Sequence, residues 1–199
     1  MPDPIIYDRN GDIRTIEWAR EKYGPFVIYP APAGDSALWR LTALREKNDS
    51  TFIAAAKGPK GEPALGTRIC FYWPDAPTLI NAGPLGVPFD GISPNQAVSG
   101  YANASGQVGF GMGAGATYHA ENGERGPHAA WICGANTRSD VLLGIGMIPD
   151  DHLHLDATWT MIEEDPEEPP SPEGLVAALL ALAQAMNAVA DEIGALARE

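Results

Sequence analysis

Positive charge is scarce in this chain. Of 199 residues, 13 are Lys or Arg against 26 Asp or Glu, a formal net charge of −13. Phosphate backbones and anionic membrane surfaces are both recognised by clustered Lys and Arg, so the balance argues against nucleic acid and against membrane docking. No run approaches the ~20 apolar residues that span a bilayer, so no membrane insertion is expected. Met1-Pro2-Asp3-Pro4-Ile5-Ile6 has no basic start and no long apolar run, so no secretory leader is visible in these residues. A mature fragment, a cytosolic protein and a virion component released by lysis all stay open. Catalytic signatures are missing too. There is no G-x-S-x-G, no H-E-x-x-H and no G-K-S/T after the glycines of Gly109-x-Gly111-x-Gly113-x-Gly115. A glycosidase-type carboxylate pair stays open, but most acids sit in turns or in one linker. A non-catalytic protein without a cofactor is expected.

Cysteine is nearly absent. Cys70 and Cys133 allow one disulfide at most. Both fall in predicted strands, beside Phe71 and Trp131, and in a two-sheet fold they could face each other across the core. The plain alternative is two buried thiols acting as small apolar side chains. No Cys–His–Asn pattern accompanies them.

What the chain does have is turn residues and apolar content. Gly 22, Pro 18 and 45% hydrophobic residues favour many short strands over a helical bundle. Thr51-Phe52-Ile53-Ala54-Ala55-Ala56 is a short apolar run, and Gly58-Pro59-Lys60-Gly61-Glu62-Pro63 is a dense turn signal. Arg68-Ile69-Cys70-Phe71-Tyr72-Trp73 is a second β-rich run that Pro74-Asp75 stops. The three together predict a β-hairpin.

Four regions are distinguishable. Residues 1–33 read as an arm. A short helix after the cap Thr15 places Ile16, Ala19 and Tyr23 on one face and ends at Gly24-Pro25. Residues 34–162 read as the main domain. Alternating segments at Ala37–Leu44, Val98–Ala104, Gln107–Gly113, His128–Cys133 and His152–Met161, with turns between, predict an antiparallel Ig-like or prealbumin-like β-sandwich. Residues 74–97 form a long Pro-, Gly- and Asn-rich loop. Residues 163–173, Glu-Glu-Asp-Pro-Glu-Glu-Pro-Pro-Ser-Pro-Glu, cannot bury apolar surface and read as an extended, self-repelling linker. Residues 174–199 read as a coiled-coil-type α-helix. Leu175, Leu179, Leu182, Met186, Val189, Ile193 and Leu196 alternate steps of four and three, a heptad seam. A lone helix of this length is marginal in water, so the seam needs a partner, and a homo-oligomer is expected, with a trimer favoured. The plain alternative is a helix folded back on its own domain.

Candidate site residues are few. His152-x-His154 would share one face of a strand, with Asp150 and Asp156 near, which is the best metal-ligand spacing in the chain. The plain alternative is a polar strand face opposite inward-pointing Leu153, Leu155 and Ala157. His119 and His128 lie near loop ends. The alternating glycines 109–115 leave one face of a strand bare while Val108, Phe110 and Met112 point to the core. Tyr72, Trp73, Tyr101 and Tyr118 are the candidate ligand-binding aromatics, able to stack on sugar rings or anchor a protein partner, whereas Trp131 and Trp159 read as core.

Lys57-Gly58-Pro59-Lys60-Gly61-Glu62-Pro63-Ala64-Leu65-Gly66-Thr67-Arg68-Ile69 resembles the "d-x-x-G-x-P-l-x-G-a-x-V" signature of carboxypeptidase-regulatory-like, transthyretin-like and bacterial Ig-like modules. Tyr101-Ala102-Asn103-Ala104-Ser105-Gly106-Gln107-Val108-Gly109-Phe110 resembles the later "T-d-a-n-G-x-v-x-F" hairpin of the same modules. The likeness covers about a third of the chain, and the long loop and Gly-rich strand depart from it. It implies a sandwich fold and binding, spacing or adhesion at a cell surface or in a virion, and it carries no shared site residues. The expected protein is therefore an extracellular, cell-surface or virion module binding glycan or cell envelope. The alternative is a structural subunit of a virion or surface assembly.

Overall fold

The computed structural model describes residues 3–32, 34, 36–72, 80, 81, 96–112, 118–120, 123–134, 136–148 and 151–163. They are mainly β and form two sheets. The chain divides into two compact units, Met1–Glu163 and Glu164–Glu199. The acidic linker from residue 164 onward, the heptad seam from Leu175 to Leu196 and most of the 74–97 loop lie outside the described residues.

The strands are β1 (Ile5–Tyr7), β2 (Ile13–Arg14), β3 (Val27–Tyr29), β4 (Ala37–Asn48), β5 (Thr51–Lys57), β6 (Arg68–Tyr72) and β7 (Ile80–Asn81), followed by β8 (Gln96–Tyr101), β9 (Gln107–Gly111), β10 (His128–Ile132), β11 (Thr137–Ser139), β12 (Val141–Ile145) and β13 (Leu153–Ile162). One sheet runs β2-β1-β4-β13-β5-β9, with β11 also on β4, and the other runs β3-β12-β10-β6-β8-β7. The long pair β4–β13 is the spine of the first sheet, paired from Asn48 opposite Leu153 to Leu38 opposite Ile162 with one register shift between Thr158 and Trp159. β13 takes one edge of β4. β1 and β11 share the other edge end to end, and both run parallel to β4. β13 and β5 are parallel as well. The seven-stranded sheet is therefore mixed, which corrects the expectation of a wholly antiparallel fold.

The two sheets share one apolar core. Phe52 of β5 and Phe110 of β9, from one sheet, both stack on Phe71 of β6, from the other, with centroids 5.0 and 5.1 Å apart. Period-two alternation supplies the rest: Leu153, Leu155, Ala157 and Trp159 of β13 all point inward and are buried.

The predicted hairpin is corrected by the pairing. β5 and β6 both form where the apolar runs lie, but they do not pair. β5 lies between β13 and β9, and β6 lies between β10 and β8. Residues 58–67 carry the chain from one sheet to the other. The second resemblance segment does the same, since β8 and β9 also belong to different sheets. The two crossings pack on each other: Ala56 N donates to Gly106 O at 2.8 Å and Gly66 N donates to Ala102 O at 2.9 Å. Gly106 has φ +73, and a Cβ there would lie 2.5 Å from the Ala56 carbonyl oxygen, so only glycine fits this corner.

Residues 3–32, read from sequence as an arm, supply strands to both sheets. Helix α1 (Ile16–Tyr23) forms as the capping signal predicts. The Thr15 hydroxyl accepts from Trp18 N at 3.2 Å, and Gly24 ends the helix at φ +86. It buries Ile16, Ala19 and Tyr23. Lys22 pairs with the buried carboxylate of Glu46 on β4 at 2.9 Å. Burial, with Glu46 close by, pushes the Tyr23 phenol pKa upward. Asp8 holds the β1–β2 turn, accepting from the amides of Asn10 and Asp12 and from Arg14 Nε at 2.8 Å. Desolvation alone would raise its pKa. The Arg14 hydrogen bond and the two amides outweigh that and hold the carboxyl below the usual range.

Candidate functional site

Where β6, β10 and β12 lie side by side, the six-stranded sheet is apolar on both faces. Ile69, Phe71, Ala130, Ile132 and Leu142 face the other sheet. The alternate positions, Cys70, Tyr72, Ala129, Trp131, Cys133, Val141 and Leu143, form a second buried cluster with Tyr29 packed against it. This cluster lies on the outward face. Cys70 and Cys133 are joined there by a disulfide. Cys70 sits opposite Trp131, and Cys133 N donates to Arg68 O at 3.0 Å, so the bridge runs diagonally between adjacent strands β6 and β10. It does not cross the core between the sheets. The reason is parity: Phe71 and Ile132 point inward, which turns their neighbours Cys70 and Cys133 outward together.

The candidate aromatics separate along the same parity. Tyr72 and Tyr101 share the outward face but differ in exposure. Tyr72 is buried, whereas Tyr101 at the end of β8 is 65% exposed. Tyr101 lies opposite Arg68, and Arg68 Nε donates to Ser99 Oγ at 3.1 Å. Leu65, at the corner leading into β6, is 72% exposed. Tyr118 is elsewhere, half-buried with its ring 5.3 Å from that of His128. Trp73 lies outside the described residues. The three described aromatics, Tyr72, Tyr101 and Tyr118, thus do not share one exposed surface. Trp159 is fully buried in the core, and its Nε1 donates to the Asp140 carbonyl at 2.9 Å, whereas Trp131 is buried on the outward face.

The histidine pair is not a shared strand face. β13 begins at Leu153, and His152 precedes it, exposed, with φ +47, so strand alternation does not reach it. Asp150 lies outside the described residues. His154 is buried, and its Nε2 is 3.0 Å from Asp156 Oδ1. Asp156 Oδ1 also accepts from Ile53 N at 2.9 Å, and Lys47 Nζ lies 3.5 Å from Oδ2. These contacts stitch β4, β13 and β5 across the outer face of the seven-stranded sheet. Among the described residues, no three His, Cys, Asp or Glu side chains come together as a metal-binding set.

Two groups carry more than their sequence signal suggested. Asp140 is the single residue between β11 in one sheet and β12 in the other. It is fully buried. Oδ1 accepts from Ala31 N at 2.8 Å and from Arg40 Nη1 at 3.0 Å, and Oδ2 accepts from Leu41 N at 2.9 Å. A lone acid before the apolar run Val141-Leu142-Leu143 was the only hint. His128 is the other, a buried imidazole whose Nδ1 is 3.2 Å from the Tyr72 carbonyl oxygen. Burial drives its pKa down to about 4, and the Tyr72 hydrogen bond opposes this only in part. Nothing in the period-two pattern distinguishes such a histidine from an ordinary strand residue.

No protein-family model matches the chain, and comparison with curated proteins and with solved structures finds no significant match.

Proposed function

We propose that the chain is a non-catalytic binding module for glycan or cell envelope, with Tyr101 as its contact residue. The observation that carries this reading is Tyr101 standing mostly exposed on a cross-linked sheet face, opposite Arg68 and one strand position from Ser99 on that face. An exposed ring offers an apolar surface to a sugar, and guanidinium and hydroxyl groups beside it suit hydroxyl partners. The disulfide supports an oxidising environment, in keeping with a cell-surface, extracellular or virion site. The sheet crossings at residues 57–69 and 101–110 are read as those of a transthyretin-like or carboxypeptidase-regulatory-like module. Tyr101→Ala is expected to reduce retention on insoluble cell-wall glycan at least about tenfold, the loss of one well-placed aromatic contact, while the thermal midpoint stays within about 2 °C. Unchanged retention, or no retention of the wild-type chain on any glycan or envelope preparation, overturns the reading.

The heptad Leu175, Leu179, Leu182, Met186, Val189, Ile193 and Leu196 is proposed to oligomerise the module, so that repeated weak contacts gain avidity. Light scattering on a chain ending at Glu163 should give a monomer mass where the full chain gives a trimer. Equal masses refute the role of the helix. A structural subunit of a surface assembly or virion is the second reading. Ile5 and Ile13 favour it, since both are exposed on the β1–β2 edge pair, a place for lateral contact. Particles or filaments in purified protein, without glycan retention, would select it.

A further inference from the structure

His128 is a fully buried imidazole, and nothing proposed above uses it. Its Nδ1 faces a carbonyl oxygen, which only accepts, so Nδ1 carries the proton and Nε2 is the basic nitrogen. Nε2 is buried and has no hydrogen-bond partner among the described residues. The ring is stacked on Phe71, centroids 5.2 Å apart, and lies tilted against Tyr118 at 5.3 Å. Among the described residues, the neighbouring elements offer no counter-charge. β6 presents Phe71 and the Tyr72 carbonyl, and β12 presents Ile145 opposite. The segment before β10 brings Arg125, whose side chain lies along Gly144. The segment 118–120 brings Tyr118, whose phenol ring lies tilted against the imidazole, and His119, which bridges Met147. Among the described residues, no carboxylate pairs with His128.

Two short segments close over this end of the fold. Met147 N donates to Tyr118 O at 2.7 Å, Ala120 N to Met147 O at 3.1 Å, and Gly126 N to Gly144 O at 2.8 Å. A proton on Nε2 would be a buried charge without a partner, which a protein relieves by letting water in.

We propose that His128 is an acid-sensitive latch, and that its protonation opens the 118–120 and 125–127 segments from residues 144–147 while the β4–β13 spine stays closed. The sign follows from linkage. The closed form binds the proton with a pKa of about 4 and the open form near 6.5, so closure is fully favoured above 6.5 and weakens as pH falls toward 4.

Native-state amide hydrogen exchange on the full chain tests this. Corrected for intrinsic rates, the amides of Ala120, Gly126 and Met147 should lose roughly 30-fold protection between about pH 7.5 and about pH 5, and β4–β13 amides should keep theirs. His128→Phe keeps the stacked ring and should abolish the loss. Equal protection at both pH values overturns the latch. So does an equal loss in the β4–β13 ladder, or the same loss in His128→Phe. Should that variant not fold, the ring titration of His128 followed by NMR in the wild-type chain decides. A midpoint near 4 supports the latch and one near 6.5 overturns it.

Discussion

Replacing Cys70 and Cys133 together with serine should cost about 4 kcal/mol of stability. The estimate rests on the sequence separation of 63 between them. Cross-linking a loop of that length removes chain entropy from the unfolded state, and the gain grows with the logarithm of loop length. For a chain of this size the midpoint should fall by roughly 10 °C. That is a large share of the about 5–15 kcal/mol typical of a folded domain. Chemical denaturation with and without reductant measures it, and the double serine variant should match the reduced wild-type chain. Coincident oxidised and reduced transitions would show that the bridge adds nothing. Both cysteines are buried, so reduction must wait for local opening. Its rate should rise sharply with denaturant, as expected when exposure limits the chemistry.

Asp140→Ala should be nearly as damaging, at about 4 kcal/mol. The carboxylate is not valuable because it is charged. It is valuable because three donors converge on it: the Ala31 amide beyond β3, the Leu41 amide in β4 and the Arg40 side chain. Alanine would strand the amides of Ala31 and Leu41, the second of them in a buried residue. Asp140→Asn keeps acceptor capacity on one oxygen but brings an NH₂ toward a donor, so it should recover only about half the loss. A cycle with Arg40→Met separates the ion pair from the amide bonds. If Asp140→Ala and Arg40→Met each cost about 1 kcal/mol and add, the hub is no hub and the strands hold their places through packing alone. The test also probes topology, because Asp140 is the whole connection between β11 in one sheet and β12 in the other.

Some of this molecule is legible in its residues. Thr15, Ile16, Ala19, Tyr23 and Gly24 announce a capped helix with one buried face, and α1 follows them. The alternation of Leu153, Leu155, Ala157 and Trp159 announces a strand with one face in the core. The same alternation gives the correct inward side for Phe110 and Met112 in the glycine-rich strand. It did not extend to His152, because the positive φ there stops the strand pattern one residue short.

Local pattern has a limit, and the crossings at residues 58–67 and 102–106 mark it. A turn-rich decapeptide between two apolar runs looks alike whether the runs become neighbours in one sheet or face each other across a core. The difference lies in which distant strand satisfies each backbone edge: β13 and β9 for β5, β10 and β8 for β6. Cys70 and Cys133 follow from that choice. Their inward or outward direction is set by parity within each strand, but their meeting depends on β6 and β10 being adjacent. His128 and Asp140 are the same case in chemical terms. The residues alone determined that this chain makes β-strands, a short capped helix at Ile16–Tyr23, tight corners and at most one disulfide, because those follow from short-range sterics and period. Only the tertiary structure decided which strands meet, which face the bridge lies on, and that His128 and Asp140 are sealed from water. Those depend on non-local pairing, which no window of sequence contains.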